Sequence, residues 1–330
     1  MPQLSLAEAH ALAATAFLRN GAREEVAARV AQALVDSEAD GLKGHGLARV
    51  QPYVAHLRAG KVDGAATPTL SRPRPGVLAI DAAHGFAYPA LTLAIGSLPA
   101  AAAEQGIAAA AIRRSNHCGA AGHTVEALAD KGLVALMVAN APASIAPWGG
   151  KIPLFGTNPI AFACPLPGRE PVVIDMSVSK VARGNIMAAH QRGEPIPEGW
   201  AFDADGRPTT DAAAALAGTM VPAGDAKGAT LAMMVELLAA GLVGASFGHE
   251  ASSMFDGTGG PPDVGQLIIA IDPAAFSGSG PERFAVLAEA VEAQEGARLP
   301  GSRRIAARAK AAAEGVAVDE ALIATIKGLS

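Results

Sequence analysis

The chain has 330 residues, half of them hydrophobic, with 17% charged and only 4% aromatic. That much apolar mass excludes a disordered or low-complexity protein, which cannot offset the entropy lost on ordering. With 31 acids against 26 bases and a net charge of -5, the chain lacks the concentrated positive field of a nucleic-acid groove, although single pockets can still be basic. The apolar half is mostly Ala, Val, Leu and Ile, which suits many small side chains packed between helices and a sheet. Cys118 and Cys164 form no CxxC pair. Neither a disulfide scaffold nor a metal site is therefore expected, and a reducing cytoplasm is the simplest compartment.

The N-terminal MPQLSLAEAHALAATAF is amphipathic without a basic start and reads as a first helix rather than a secretion signal. Residues 5–38 predict two helices broken at Gly21, with Gly41 as the stop. A glycine-punctuated turn, Lys43-Gly44-His45-Gly46, leads to a helical stretch from Leu47 to Ala59. Residues 76–88 read as a strand running into a turn, LTLAIGSLPAAAAEQG as a helix ended by Gly106, and IAAAAIRR as a buried strand. That alternation predicts a βαβ element.

Residues 123–132 are helical in pattern, and GLVALMVANAP is apolar without alternation, hence a strand buried on both faces. PLFGTNPIAFACP and EPVVIDMSVS read as two more strands, and 194–211 as an excursion loop rich in Pro, Gly and Asp. Residues 228–248 are long enough to span a bilayer, but Glu236 at the centre and the dominance of small residues make a buried core helix the expectation. A flexible glycine loop, GHEASSMFDGTGGPPD, then the buried strand GQLIIAIDP and helices over 281–297 and 304–328 complete the chain, without a repeat or a clear linker.

No G-x-G-x-x-G stands between a strand and a helix, so a standard Rossmann pyrophosphate turn is excluded. P-loop and H-E-x-x-H motifs are also missing. Two histidines sit in unusual settings. His45 lies between glycines with Arg49 four residues on, an imidazole beside a guanidinium fork, suited to acid-base work on a carboxylated substrate. The same spacing also fits a polar turn histidine and a solvated arginine. His117 follows a buried strand in Ser115-Asn116-His117-Cys118-Gly119-Ala120-Ala121-Gly122, where ligands collect in open α/β sheets and a helix start offers free N–H groups, although a satisfied turn histidine fits as well.

Gly156-Thr157-Asn158-Pro159 reads as a turn. Lys227 puts a positive charge at a helix start, which is unfavourable unless an anion compensates, and Arg303-Arg304 is either a phosphate contact or a solvated surface pair.

Together GHGLAR, SNHCGAAG, PLFGTNPIAFACP, VVIDMSVSKVARGNI, DADGRPTTD, AKGATLAMMVELLAAGLVG and GQLIIAIDP resemble the malate/L-lactate dehydrogenase family of NAD(P)-dependent oxidoreductases, over nearly the whole chain. The resemblance implies an α/β, non-Rossmann mixed-sheet fold with helical N- and C-terminal segments. It also implies two interleaved lobes: 1–115 with 265–330 for substrate and dimerisation, and 116–264 for NAD(P). MMVELLAAGLVG, GQLIIAIDP and EGVAV are most similar to the branch that reduces Δ1-pyrroline-2-carboxylate and Δ1-piperideine-2-carboxylate to L-proline and L-pipecolate with NADPH. The alternatives are a 2-hydroxy-acid dehydrogenase of the malate, L-lactate or ureidoglycolate kind, toward which the Trp148-Gly149-Gly150 turn leans, and an inactive cofactor-binding homologue.

By matching motif, the resemblance makes His45 the proton donor, and Arg49 and Thr157 the substrate contacts. It lays NADPH, or NADH, along His117, Cys118, Gly119, Ala120, Ala121, Asp175, Met176, Ser177, Arg183, Gly184, Lys227, Gly228 and Arg303. It further implies a homodimer acting on a small carboxylated substrate, away from membranes and nucleic acid. Three positions depart from the family pattern: Gly44 where serine is usual, Lys43 where aspartate or histidine is common, and Asn185, a catalytic position, where the reductases carry aspartate. A neutral Asn185 can orient an imidazole but cannot stabilise its cation as a carboxylate does.

Overall fold

The chain enters its first helix through a reciprocal cap. Ser5 Oγ accepts the Glu8 amide at 3.2 Å, and the Glu8 carboxylate accepts the Ser5 amide at 2.8 Å, which satisfies two orphan donors. The computed structural model describes residues 1–330. Strand β1 (Gln3–Leu4) precedes helices α1 (Leu6–Arg19) and α2 (Glu24–Ala39), and two short 3-10 turns lead to α3 (Val50–Arg58). Then come β2 (Thr69–Arg74), β3 (Val77–Asp81), α4 (Ala87–Gln105) and β4 (Ile107–Ser115), with β3 and β4 parallel, as the βαβ reading requires.

Helix α5 (Ala121–Ala129) leads to β5 (Val134–Ala139), β6 (Ile160–Leu166) and β7 (Arg169–Met176). An excursion carries α6 (Arg183–Arg192), β8 (Ala201–Phe202), β9 (Pro208–Thr209), α7 (Ala212–Ala217) and β10 (Thr219–Met220). Helix α8 (Ala226–Glu236), β11 (Val264–Ile271), α9 (Gly280–Glu292), α10 (Ser302–Glu314), β12 (Val316–Ala317) and α11 (Glu320–Gly328) end the chain.

One mixed sheet of seven strands, in the order β2-β3-β4-β11-β5-β6-β7, runs through the molecule. Side chains alternate across it. Met137 of β5 and Ile268 of β11 face the large core shared with α1, α2, α4 and α5, whereas their neighbours Val138 and Leu267 pack on Val235 and Ala239 beyond the other face. Both faces of β5 and β11 are thus covered, which explains why their sequences run apolar without alternation. The strands on either side of β11 are antiparallel to it, so β4 and β5 run the same way and end together. That shared end is where the candidate residues gather.

Three readings of the sequence are corrected. Residues 194–211 are not wholly loop, because β8 and β9 pair with β10 in a three-stranded sheet. Residues 304–328 are not one helix: Gly315 ends α10, and β12 pairs with β1 before α11 begins. The apolar segment 228–248 is neither one helix nor wholly buried. Helix α8 gives way to a π turn over Leu237–Gly241. Ala229, Ala232, Val235 and Glu236 face inward, while Met233, Leu237 and Leu242 are at least half exposed. The small residues set the packed face and the long ones the outer face. No helix is long and apolar enough to cross a membrane.

Glu236, the one charged residue in that segment, is 3% exposed. Its carboxylate accepts from the Gly156 amide at 3.2 Å, Asn158 Nδ2 at 2.9 Å, Asn140 Nδ2 at 3.2 Å and the Gly248 amide at 3.0 Å. Removing a buried acceptor strands every donor that points at it. Glu236→Ala is expected to lower the unfolding free energy by about 3–5 kcal/mol, seen as a lower urea midpoint at unchanged slope; an unaltered midpoint would show that the carboxylate is dispensable.

Candidate active site

Helix α3 and the turn before it build the site. Arg49, Tyr53 and His56 stand at i, i+4 and i+7, so they share one face of the helix. The turn that carries His45 is fixed from below by Glu38, a buried residue of α2 whose carboxylate accepts the Leu47 amide at 3.0 Å and lies 3.8 Å from Lys43 Nζ. A Cβ on Gly46 would run into that carboxylate, so the glycine here serves close approach rather than flexibility. Burial, against the Leu47 and Lys43 contacts, pushes the Glu38 carboxyl up from its ordinary value.

Arg49 turns back so that its Nε donates to the Gly44 carbonyl at 2.8 Å, and its guanidinium lies 5.0 Å from the Phe255 ring centroid. Its two terminal nitrogens make no hydrogen bond within the chain, leaving the fork free for a carboxylate. His45 stacks on His117, with ring centroids 5.5 Å apart and planes at 17°. His117 Nδ1 in turn is hydrogen-bonded to the Tyr53 hydroxyl at 2.6 Å, and Tyr53 to the Tyr88 hydroxyl at 2.9 Å. Burial, reinforced by Arg49 and then His123, lowers the His45 imidazole to about 4. Burial likewise pushes Tyr53 up to about 12 and His117 well below its ordinary value. The group is therefore neutral near pH 7, with His45 able to accept a proton.

The sequence missed Tyr53, Tyr88, Phe255 and Glu38. Tyr53 had a signal, since it stands four residues after Arg49 on the same helical stripe. Tyr88 and Phe255 had none, because they arrive from distant segments.

The SNHCGAAG turn lies at the end of β4 as expected, but its glycines do not form an open cradle. A Cβ on Gly119 would lie 2.9 Å from the Tyr88 hydroxyl, and one on Gly122 3.0 Å from Asp175 Oδ2 and from Arg304 Nη1. The glycines admit protein atoms. Asp175 accepts the Gly122 amide at 2.7 Å, which places Ala120 and Ala121 at the start of α5 beside the end of β7, while Cys118 is a buried free thiol lifted by burial to about 12.

Of the arginine pair, Arg303 is exposed, and its buried neighbour Arg304 is the one that reaches inward. Arg304 and Arg308 bridge Asp40 and Glu126, and His123 lies 2.8 Å from the same aspartate. Burial alone would raise the Asp40 carboxyl, but its His123 and Arg308 hydrogen bonds outweigh this and hold it at about 2.

Thr157 joins the same end of the sheet. Its carbonyl accepts the Val178 amide at 2.9 Å, and the Val178 carbonyl accepts Ala223 at 2.8 Å, which stitches the Met176-Ser177 segment and the approach to Lys227 and Gly228 to the Thr157 turn. Lys227 is exposed at the start of α8. Asn185 makes no hydrogen bond to His45. Asn185 is exposed in the first turn of α6 and lines a cavity of about 270 Å³ with Arg192, Pro195 and Trp200, while the adjacent Arg183 donates to the Leu216 carbonyl at 3.3 Å beside Gly184.

A non-Rossmann mixed sheet, a histidine–arginine pair on two consecutive 3-10 turns and a glycine turn at a strand end define the class, and comparison with known proteins agrees. The model of the malate/L-lactate dehydrogenase family matches residues 4–327, and the chain belongs to that family of oxidoreductases. It is 53% identical to the (2R)-3-sulfolactate dehydrogenase (NADP(+)) of Chromohalobacter salexigens, over 92% of this chain and 91% of that one. It is 44% identical to a Δ1-pyrroline-2-carboxylate reductase of Ancylobacter novellus, over 99% and 97%. The crystal structure of the Δ1-piperideine-2-carboxylate reductase of Pseudomonas syringae superposes with a TM-score of 0.93 at 38% identity, covering all of both chains.

The histidines set an acid limit. His45 and the fully buried His56, both near 4 in the folded protein against 6.5 in the open chain, hold fewer protons folded than unfolded between those values. Stability is therefore complete above about pH 6.5 and falls as pH drops toward 4. His56→Phe should flatten the fall in urea midpoint between pH 7 and pH 5 relative to the parent; an equal fall in both would clear His56.

Proposed function

We propose that the protein oxidises a dianionic 2-hydroxy acid, of the 3-sulfolactate kind, to its 2-oxo acid with NADP, and runs the reverse reduction with NADPH. The carrying observation is electrostatic. After burial, the group that bears most on His45 is the Arg49 guanidinium, a positive charge whose terminal nitrogens are free. Such a pocket favours a substrate with a carboxylate and a second acid group, and disfavours a cyclic imine protonated on nitrogen. The 53% identity to a sulfolactate dehydrogenase supports the same reading. Reduction of Δ1-pyrroline-2-carboxylate or Δ1-piperideine-2-carboxylate is the second reading, favoured by the 44% relative and by the superposition at 0.93.

The residues fit a dinucleotide phosphate. The starts of α5 and α8 offer helix N–H groups, and Lys227 stands exposed at the second without an ion pair, whereas Arg304 is already paired with Asp40 and Glu126. We assign Lys227, with Ala120, Ala121 and Ser177, to NADP, with NADH as a weaker alternative. When bound, the cofactor accepts or supplies the hydride at the substrate's C2. Arg49 grips the carboxylate in a fork, Thr157 offers a hydroxyl, and His45 takes the hydroxyl proton during oxidation and returns it during reduction. Stacking on His117, itself bonded to Tyr53, orients the imidazole without a neighbouring serine or aspartate. We also take the chain to be a cytoplasmic homodimer, with the Met233, Leu237 and Leu242 face as its contact.

Initial rates of NADPH oxidation decide between the readings. Sulfopyruvate is expected to exceed both cyclic imines in kcat/KM by about tenfold or more, a difference of roughly 1.4 kcal/mol. The reverse order would install the imine reading, and bound cofactor without any turnover would point to an inactive homologue. In the oxidative direction, neutral His45 is the competent form, so kcat/KM should be flat from pH 8 down to about pH 5.5 and fall only toward 4. A fall centred on 6.5 would show that the pocket does not hold the imidazole neutral. His45→Ala should abolish turnover and leave NADPH affinity near the parent value.

A further inference from the structure

The glycine loop after α8, expected from its composition to be flexible, is instead tied to the helix that carries Arg49. Helix α3 ends in a reversal that satisfies its last carbonyls. The Lys61 amide donates to the His56 carbonyl at 2.9 Å and the Gly60 amide to Leu57 at 3.1 Å, with Gly60 at a φ of +69°, a conformation open to glycine at little penalty. This sends the Lys61 side chain back beneath the helix, where it is 1% exposed. Its ammonium donates to three carbonyls of one loop: Ser253 at 2.6 Å, Asp256 at 3.2 Å and Thr258 at 2.7 Å.

An ammonium has three protons, and all three are used here on backbone oxygens. The loop also closes on itself through Ser252 Oγ to the Gly260 carbonyl at 2.6 Å and the Phe255 amide to Ser253 Oγ at 3.1 Å. Gly257 lies flat on α3, since a Cβ there would sit 3.1 Å from that of Ala59. At the tip of the clamped segment is Phe255, its ring over the Arg49 guanidinium. A buried charge satisfied only by one loop's carbonyls stays buried only while that loop is in place.

We propose that Lys61 is a positioning residue that locks the 253–258 loop, so that Phe255 walls one side of the Arg49 carboxylate grip and sets which substrates fit. The clamp runs through residues that touch neither proton nor hydride, so its effect falls on substrate capture. The inference rests on the assignment of Arg49 to the substrate carboxylate, but not on which carboxylate that is.

Two readouts test it. Phenylglyoxal modification of Arg49, followed by peptide mass spectrometry, needs no substrate, and KM and kcat are measured with whichever of the 2-oxo acids or imines the parent turns over. Lys61→Met should speed Arg49 modification and raise KM roughly tenfold with kcat within about twofold, while NADPH affinity stays at the parent value and Lys61→Arg restores part of the loss. Phe255→Ala, a half-exposed position that does not threaten folding, should reproduce both changes even if Lys61→Met is insoluble. Unchanged modification and KM in Phe255→Ala, or a Lys61→Met variant that loses kcat with KM unmoved, would overturn the proposal. A parent that reduces imines rather than sulfopyruvate overturns the substrate reading alone, and if the parent turns over nothing, Arg49 modification decides the clamp by itself.

Discussion

One carboxylate holds the candidate-site end of the molecule together. Glu236 takes hydrogen bonds from the end of β5, from both sides of Thr157 and from the first residues of the 248–263 loop. The β5–β6 ladder stops just short of these segments, and beyond it only single backbone bonds, such as Ala139 to the Pro159 carbonyl and Ala143 to the Gly248 carbonyl, join them. A buried carboxylate with four donors is among the few devices that fix such a junction in direction as well as distance. The burial penalty of the charge explains why a single acid interrupts an otherwise apolar run of small residues. Without that junction, Thr157 would be a turn residue on a loose connection.

The second half of the site depends on helix α3 and on chemistry that sequence spacing does show. Arg49, Tyr53 and His56 fall on one stripe, and His45 precedes them at a turn marked by two glycines, so the histidine–arginine pairing was legible. The surroundings that make the pairing work were not. Glu38 reaches the turn from the preceding helix, Tyr88 from the start of α4, and Phe255 from beyond α8, across a sequence separation that no local pattern encodes. The βαβ unit and the two-face burial of β5 and β11 were readable because alternation, or its lack, is a local property. The end of α8 in a π turn, the two-residue strands and the break at Gly315 were not readable, because they depend on what packs against them.

The glycine content invited a ligand-cradle reading, and packing claims much of it. Gly46 makes room for Glu38, Gly119 for Tyr88, and Gly122 for Asp175 and Arg304. Small residues bring helices and loops close enough for polar side chains to meet. The arginine pair shows the same limit. Sequence could mark 303–304 as basic, but the helical phase of α10 turns Arg304 inward to Asp40 and Glu126 and leaves Arg303 in solvent.

These constraints together explain how an acidic chain can present a cationic pocket. Asp40 and Glu126 are buried against Arg304, Arg308 and His123 behind the start of α5, so two of its negative charges are already paired. Asp175 is occupied by the Gly122 amide, and Glu38 by Leu47 and Lys43. Arg49 keeps its terminal nitrogens free, and its one protein bond is to a carbonyl, which orients the fork without neutralising it. The buried acids are thus occupied within the protein, while the partly buried Arg49 guanidinium keeps its charge free where water is scarcer and that charge acts more strongly. Burial lowers His45 and the free Arg49 charge lowers it further, so the guanidinium that would grip the proposed acid also helps keep the neighbouring imidazole ready to take a proton.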